Sequence, residues 1–179
     1  MSELSPLQLW TRRLGFVALA LFIVFLHLLP LQTAPQSWSG ADWLMAFAFA
    51  WAVRRPDYMP AAMLALVFLM ADLLLQRPPG LWALLMLVAC ESLKSQSRQL
   101  RAATFPTEAF SVAGLIIAVS IGYRLVLAIF LVDLPPLGLE IMQMIMTLVF
   151  YPLAALVTHS LMGVRKIVPG DYVSRGRRL

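Results

Sequence analysis

The strongest constraint on this 179-residue chain is a run of apolar stretches, each close to the length of a bilayer crossing, separated by short segments that hold most of its charge. Stretches such as "LGFVALALFIVFLHLLP" and "SVAGLIIAVSIGYRLVLAIFLVDL" leave no polar face for water. A membrane-crossing helix needs ~20 consecutive apolar residues, with a working range of ~17–25. Six segments fit or approach it: 13–30, 38–53, 58–76, 79–93, 107–134 and 137–164. Two are short, since the positions of 38–53 reach only about 24 Å at helical rise. Composition supports the reading: 61% of residues are hydrophobic and 13% charged, where a soluble domain has about 25% charged. The expected fold is an all-α integral membrane protein, a six-helix bundle over 13–164.

The loop charges set an orientation. With the N-terminal segment 1–12 on the cytoplasmic side, six crossings place twelve of the fourteen basic residues inside: Arg12, Arg13, Arg54, Arg55, Lys94, Arg98, Arg101, Arg165, Lys166, Arg175, Arg177 and Arg178. Arg77 falls in an outer loop and Arg124 within a span. Dropping either short span would scatter basic clusters to both sides, against the positive-inside bias. Both termini are therefore expected in the cytoplasm, with 165–179 as a basic tail that sets topology and can touch anionic lipid. Arg12–Arg13 and the run after them resemble a signal peptide in outline. However, the run is long, no A-x-A-like site follows in "LQTAPQSWSG", and it is read as a retained span. The tryptophans at 10, 38, 43, 51 and 82 are expected in an interfacial belt. "KSQSRQLRAATFP" is expected to be the longest loop, and Pro152 to kink the last span.

The net charge of +5 raises nucleic acid as a partner, but the basic residues form no contiguous patch, so none is expected. A single Cys90 excludes an intrachain disulfide and a multi-cysteine metal site. His27 and His159 lie near opposite ends of their spans, so they cannot share a metal. No metalloprotease, nucleophile-elbow or phosphate-cradling motif occurs. No catalytic residue, cofactor or metal is expected, and the chain is read as non-enzymatic.

What remains are polar groups inside the hydrocarbon, each costing ~2.5–3.5 kcal/mol if ionised. Asp72 lies about 21 Å up the third span and Arg124 about 25 Å up the fifth. Similar depth and opposite sign predict a direct pair, with Glu140, Asp133 and Asp42 as rival partners for Arg124. Glu91 and Glu108 sit near the cytoplasmic interface, where Lys94, Arg98 and Arg101 can neutralise them. On the last span Glu140, Gln143, Thr147, Tyr151 and Thr158 trace one face, which must look into the bundle or meet another membrane protein. Gly114, Ala118 and Gly122 give the fifth span a small-residue face.

One stretch carries more than its physics: "RRPDYMPAAMLALVFLMADLLLQRPPGLWALLML". It resembles the rod-shape-determining membrane protein family MreD. Arg55, Pro56 and Asp57 match that family's Arg-Pro-acidic step, Asp72 its helix-end acid, and Pro79, Gly80 and Leu81 the turn into the next helix. The family often has Ser-Gly just after the acid, where this chain has Gln76–Arg77. The resemblance implies a bacterial inner-membrane scaffold of lateral cell-wall elongation. It would bind MreC and, through it, the filament protein MreB, a RodA-type glycan polymerase and a penicillin-binding transpeptidase. The alternative class is a small-molecule-binding or transport subunit like the vitamin-uptake membrane subunits.

Overall fold

The computed structural model describes residues 6–29 and 38–160. The basic tail, the end of the sixth span beyond residue 160 and the connection 30–37 lie outside them. The described residues form six helices and no strand: α1 Pro6–Leu28, α2 Trp43–Arg54, α3 Ala61–Leu74, α4 Leu81–Ala102, α5 Phe105–Ile129 and α6 Leu137–Ser160, with a short 3-10 turn at Pro56–Tyr58. Leu7–Leu28, Phe105–Ile129 and Leu137–Ser160 are long and apolar enough to cross a bilayer, whereas Trp43–Arg54 and Ala61–Leu74 are apolar but shorter.

The middle of the bundle is α2. Residues 44–54 are all buried, as expected of a helix that is apolar on every side. It packs most closely on α4 and α6, with α1 alongside; α3 pairs with α4, and α5 bridges α4 and α6. The outside is apolar too. Phe22 and Phe25 on α1, Ile121 and Leu125 on α5, and Ile141, Ile145 and Val149 on α6 are all exposed. Such a periphery suits hydrocarbon, and with the three long helices it marks a membrane protein.

Several boundaries differ from the sequence reading, each for a local reason. α1 begins at Pro6, ahead of the expected span 13–30, so Arg12 lies within the helix rather than before it. α4 continues through the expected "KSQSRQLR" loop to Ala102. That stretch keeps a helical stripe, because Leu93, Ser97 and Leu100 continue the buried row of Met86, Ala89 and Cys90. Only Ala103 and Thr104 then separate α4 from α5. The tryptophan belt is not general. Trp10 and Trp38 are exposed, but Trp51 is 1% exposed and stacks on Phe16 at 5.3 Å because it sits on the enclosed helix. Pro152 lies inside α6, removing one helical N–H.

Two helix ends turn on non-glycine residues in the left-handed region, Gln76 at φ 56° and Leu131 at φ 54°. After them Arg77 N–H donates to the Asp72 carbonyl at 2.9 Å and Val132 N–H to the Leu127 carbonyl at 3.0 Å. This is the C-terminal closure that glycine usually completes, and Gln76 sits where the resemblance places Ser-Gly.

Candidate functional site

Among the described residues, the buried Asp42, Asp72 and Glu108 and the half-buried Glu140 each lie at the start of a helix, their own or the next one, where free N–H groups and the helix dipole favour negative charge. Asp42 caps α2, its Oδ1 accepting from Met45 N–H at 2.9 Å. Asp72, at the end of α3, serves α4: its Oδ2 accepts from Gly80 N–H at 3.0 Å and Ala83 N–H at 3.1 Å. Gly80, at φ 86°, is the left-handed residue that opens α4. Glu140 and Glu108 occupy the first turns of α6 and α5.

The expected Asp72–Arg124 pair is therefore not formed. Asp72 is 0% exposed and occupied by backbone amides. Arg124 instead donates through Nη1 to Glu140 Oε2 at 2.6 Å and to the Pro135 carbonyl at 3.1 Å. Matching depth and opposite sign identified groups at the same end of the bundle, but not their partners. A helix start eight residues downstream offers Asp72 two N–H donors at no cost in long side-chain ordering. Arg124, meanwhile, finds its carboxylate on the helix that follows its own.

The polar row of α6 looks inward and divides between two places. Glu140, Gln143 and Thr147 line a cavity of about 340 Å³ together with Asp42, Arg77, Trp82 and Tyr123. Here the starts of α2, α4 and α6 meet the ends of α3 and α5. Asp42 N–H donates to Thr147 Oγ1 at 2.8 Å, and that hydroxyl donates to the Gln143 carbonyl at 2.7 Å, which ties α2 to α6. Trp82 meets Tyr123 edge-on at 5.2 Å, and Arg77 lies over the Trp82 ring at 5.0 Å.

Further along α6, Tyr151 belongs to a second cluster near the other end. Glu108 Oε1 accepts from Arg54 Nη1 at 3.0 Å and from Tyr151 Oη at 2.8 Å. All three residues are buried. Sequence reasoning set Lys94, Arg98 and Arg101 beside both Glu91 and Glu108; Lys94 does pair with Glu91, and Glu108 is bound by Arg54 as well. The available clue was Arg54, the basic residue ending the apolar stretch before the 55–57 step. Lys94 is engaged elsewhere, with the Met59 carbonyl at 2.8 Å and with Glu91. Thr158, also buried, bonds back to the Ala154 carbonyl at 2.7 Å.

The small-residue face of α5 is only partly used. A side chain at Gly122 would meet Leu85 of α4 at 3.4 Å, whereas nothing lies near Gly114. Among the described residues no three His, Cys, Asp or Glu side chains converge to hold a metal. No protein-family model, curated protein or solved structure matches this chain.

Proposed function

We propose that the chain is a non-enzymatic, six-span scaffold of the bacterial inner membrane that serves lateral cell-wall elongation. In this reading it holds MreC and, through it, MreB, a RodA-type polymerase and a penicillin-binding transpeptidase. The observation that carries the reading is the 55–81 segment. Within it the Asp72 side chain closes the turn onto Gly80 and Ala83, which supports the resemblance of that turn to the MreD signature.

Six crossings with both termini cytoplasmic are supported by the charge arrangement. Arg13 donates to the Asp57 carbonyl at 3.4 Å, Arg54 binds Glu108 and Lys94 reaches Met59, all at one end of the bundle. Arg77 and Arg124 lie at the other. The short α2 is enclosed by its neighbours, so its length need not match the hydrocarbon thickness.

Thr147 and Tyr151 are 1% and 0% exposed, so partner helices would meet the exposed ridges of α5 and α6 rather than the α6 polar row. Depletion in a rod-shaped host followed by microscopy tests the function, with conversion of rods to spheres expected. Photocrosslinking from Ile121 and Ile145 should capture MreC. Unchanged shape with a nutrient-uptake defect would instead favour the transport-subunit reading, to which the 340 Å³ cavity lends weight.

A further inference from the structure

The cavity between α2, α4, α5 and α6 is more than a packing defect. Defects in apolar bundles are lined by methyl groups and carry no free polar atoms. Here the apolar Met45, Ile116 and Met144 line the same space as Asp42, Tyr123 and Gln143, with Arg77 and Glu140 also in the lining. Asp42 is only 6% exposed. One of its oxygens is committed to Met45 N–H, and among the described residues the other has no hydrogen-bond partner. The Gln143 amide and the Tyr123 hydroxyl are likewise uncommitted within the described residues. Three buried or half-buried polar groups thus face one space without bonding to one another. Their polar atoms open onto that space rather than being sealed away, and each can bond to what fills it.

The charge pattern selects the ligand class. Glu140 is matched by Arg124 at 2.6 Å. Arg77 is laid over the Trp82 ring. Of the two carboxylates in the lining, Asp42 is the one that no described cation pairs with. We propose that this cavity binds a compact organic amine, its ammonium on the free oxygen of Asp42 and its apolar body against Met45, Ile116 and Met144. The Gln143 amide and Tyr123 hydroxyl would then take up any further polar group of the ligand. A cavity of about 340 Å³ falls at the small end of the range for ligand sites, so the body is a single ring or a short chain. This inference does not depend on the scaffold reading, because a scaffold and a transport subunit could equally carry such a site.

The test uses the full chain in lipid nanodiscs and pairs of probes that differ only in the polar head. Phenethylamine is set against 2-phenylethanol and 3-phenylpropionate, and tryptamine against indole-3-ethanol, by calorimetry and thermal shift. At least one amine should bind at about 1 mM or tighter and about tenfold or more above its alcohol, as expected for a charge-assisted hydrogen bond. Asp42→Asn keeps an oxygen for the α2 cap, so it should fold like the parent while losing the preference for the amine. Tyr123→Phe, which disturbs no cap, should weaken tryptamine, whose indole N–H is its further polar group, severalfold and leave both phenethylamine binding and the melting temperature unchanged. Equal binding of amine and alcohol, preference for the carboxylate, full amine affinity in Asp42→Asn, or no amine bound at about 10 mM would each overturn the assignment. The comparison of amine with alcohol on the unmodified chain stands even if a variant fails to fold.

Discussion

Replacing Asp72 separates a helix cap from an ion pair. Its Oδ2 serves two backbone donors, Gly80 N–H at 3.0 Å and Ala83 N–H at 3.1 Å. Asp72→Ala removes both acceptors and leaves two amides in a dry site, at about 1–3 kcal/mol for each buried donor left unmade. Gly80 is only half-buried at that contact, so the sum falls at about 2–4 kcal/mol. Asp72→Asn retains an acceptor oxygen and should cost about 1 kcal/mol, because Asn is nearly as good a cap as Asp. Arg124→Ala strands Glu140 instead and touches neither amide. The two alanine changes share no partner, so their effects should add to within about 0.5 kcal/mol. SDS-induced unfolding in mixed micelles, followed by tryptophan fluorescence, measures the parent, the three single variants, the double-alanine variant and the charge swap. A coupling above about 1 kcal/mol, or rescue of both singles by the Asp72→Arg, Arg124→Asp swap, would show that the two charges act on each other and refute the cap.

The other expectations use the same unfolding assay unless stated. Arg54→Met leaves the fully buried Glu108 without its arginine and should cost about 3–5 kcal/mol, while adding Glu108→Leu should recover most of the loss. Leu131→Gly and Gln76→Gly relieve left-handed backbone that costs a residue with a Cβ roughly 1–2 kcal/mol, so each should stabilise by about 1 kcal/mol after the entropy that glycine adds to the unfolded chain. Gly122→Leu should clash with Leu85 and cost about 1–3 kcal/mol, whereas Gly114→Leu, facing open space, should be neutral. In intact spheroplasts a cysteine at Arg98 should resist an impermeant maleimide added from the periplasm; labelling there would invert or break the proposed topology.

Much of the architecture was legible because hydrocarbon permits so little else. The apolar runs fall on the helices of the described residues, and of the row on α6, Glu140, Gln143 and Thr147 line the cavity. Individual partners were less legible. The depth of Asp72 and Arg124 is a one-dimensional property, whereas pairing depends on which helices adjoin, and nothing in the spacing of residues 72 and 124 encodes that. The extent of α4 was misread because charge was taken as the mark of a loop. Leu93, Ser97 and Leu100 maintain the buried stripe beneath Lys94 and Arg98, and the stripe decides. Trp51 was read as interfacial from its place near a span end, but an enclosed helix has no interface to offer. The cavity could not be read at all, because it is made of residues from four separate helices.

The enclosure of α2 has a consequence for how the protein is made. Its residues 44–54 all end up surrounded by other parts of the chain, yet α2 leaves the ribosome well before α4 and α6 exist. During that interval Arg54 emerges without Glu108, and the Asp42 backbone amide without Thr147. The early helix must wait beside α1 or within the insertion machinery, with its cationic end held near lipid headgroups, until later segments arrive to surround it. Biogenesis thus runs from the centre outward, and a chain cut short before α5 would expose the one element least suited to being left alone.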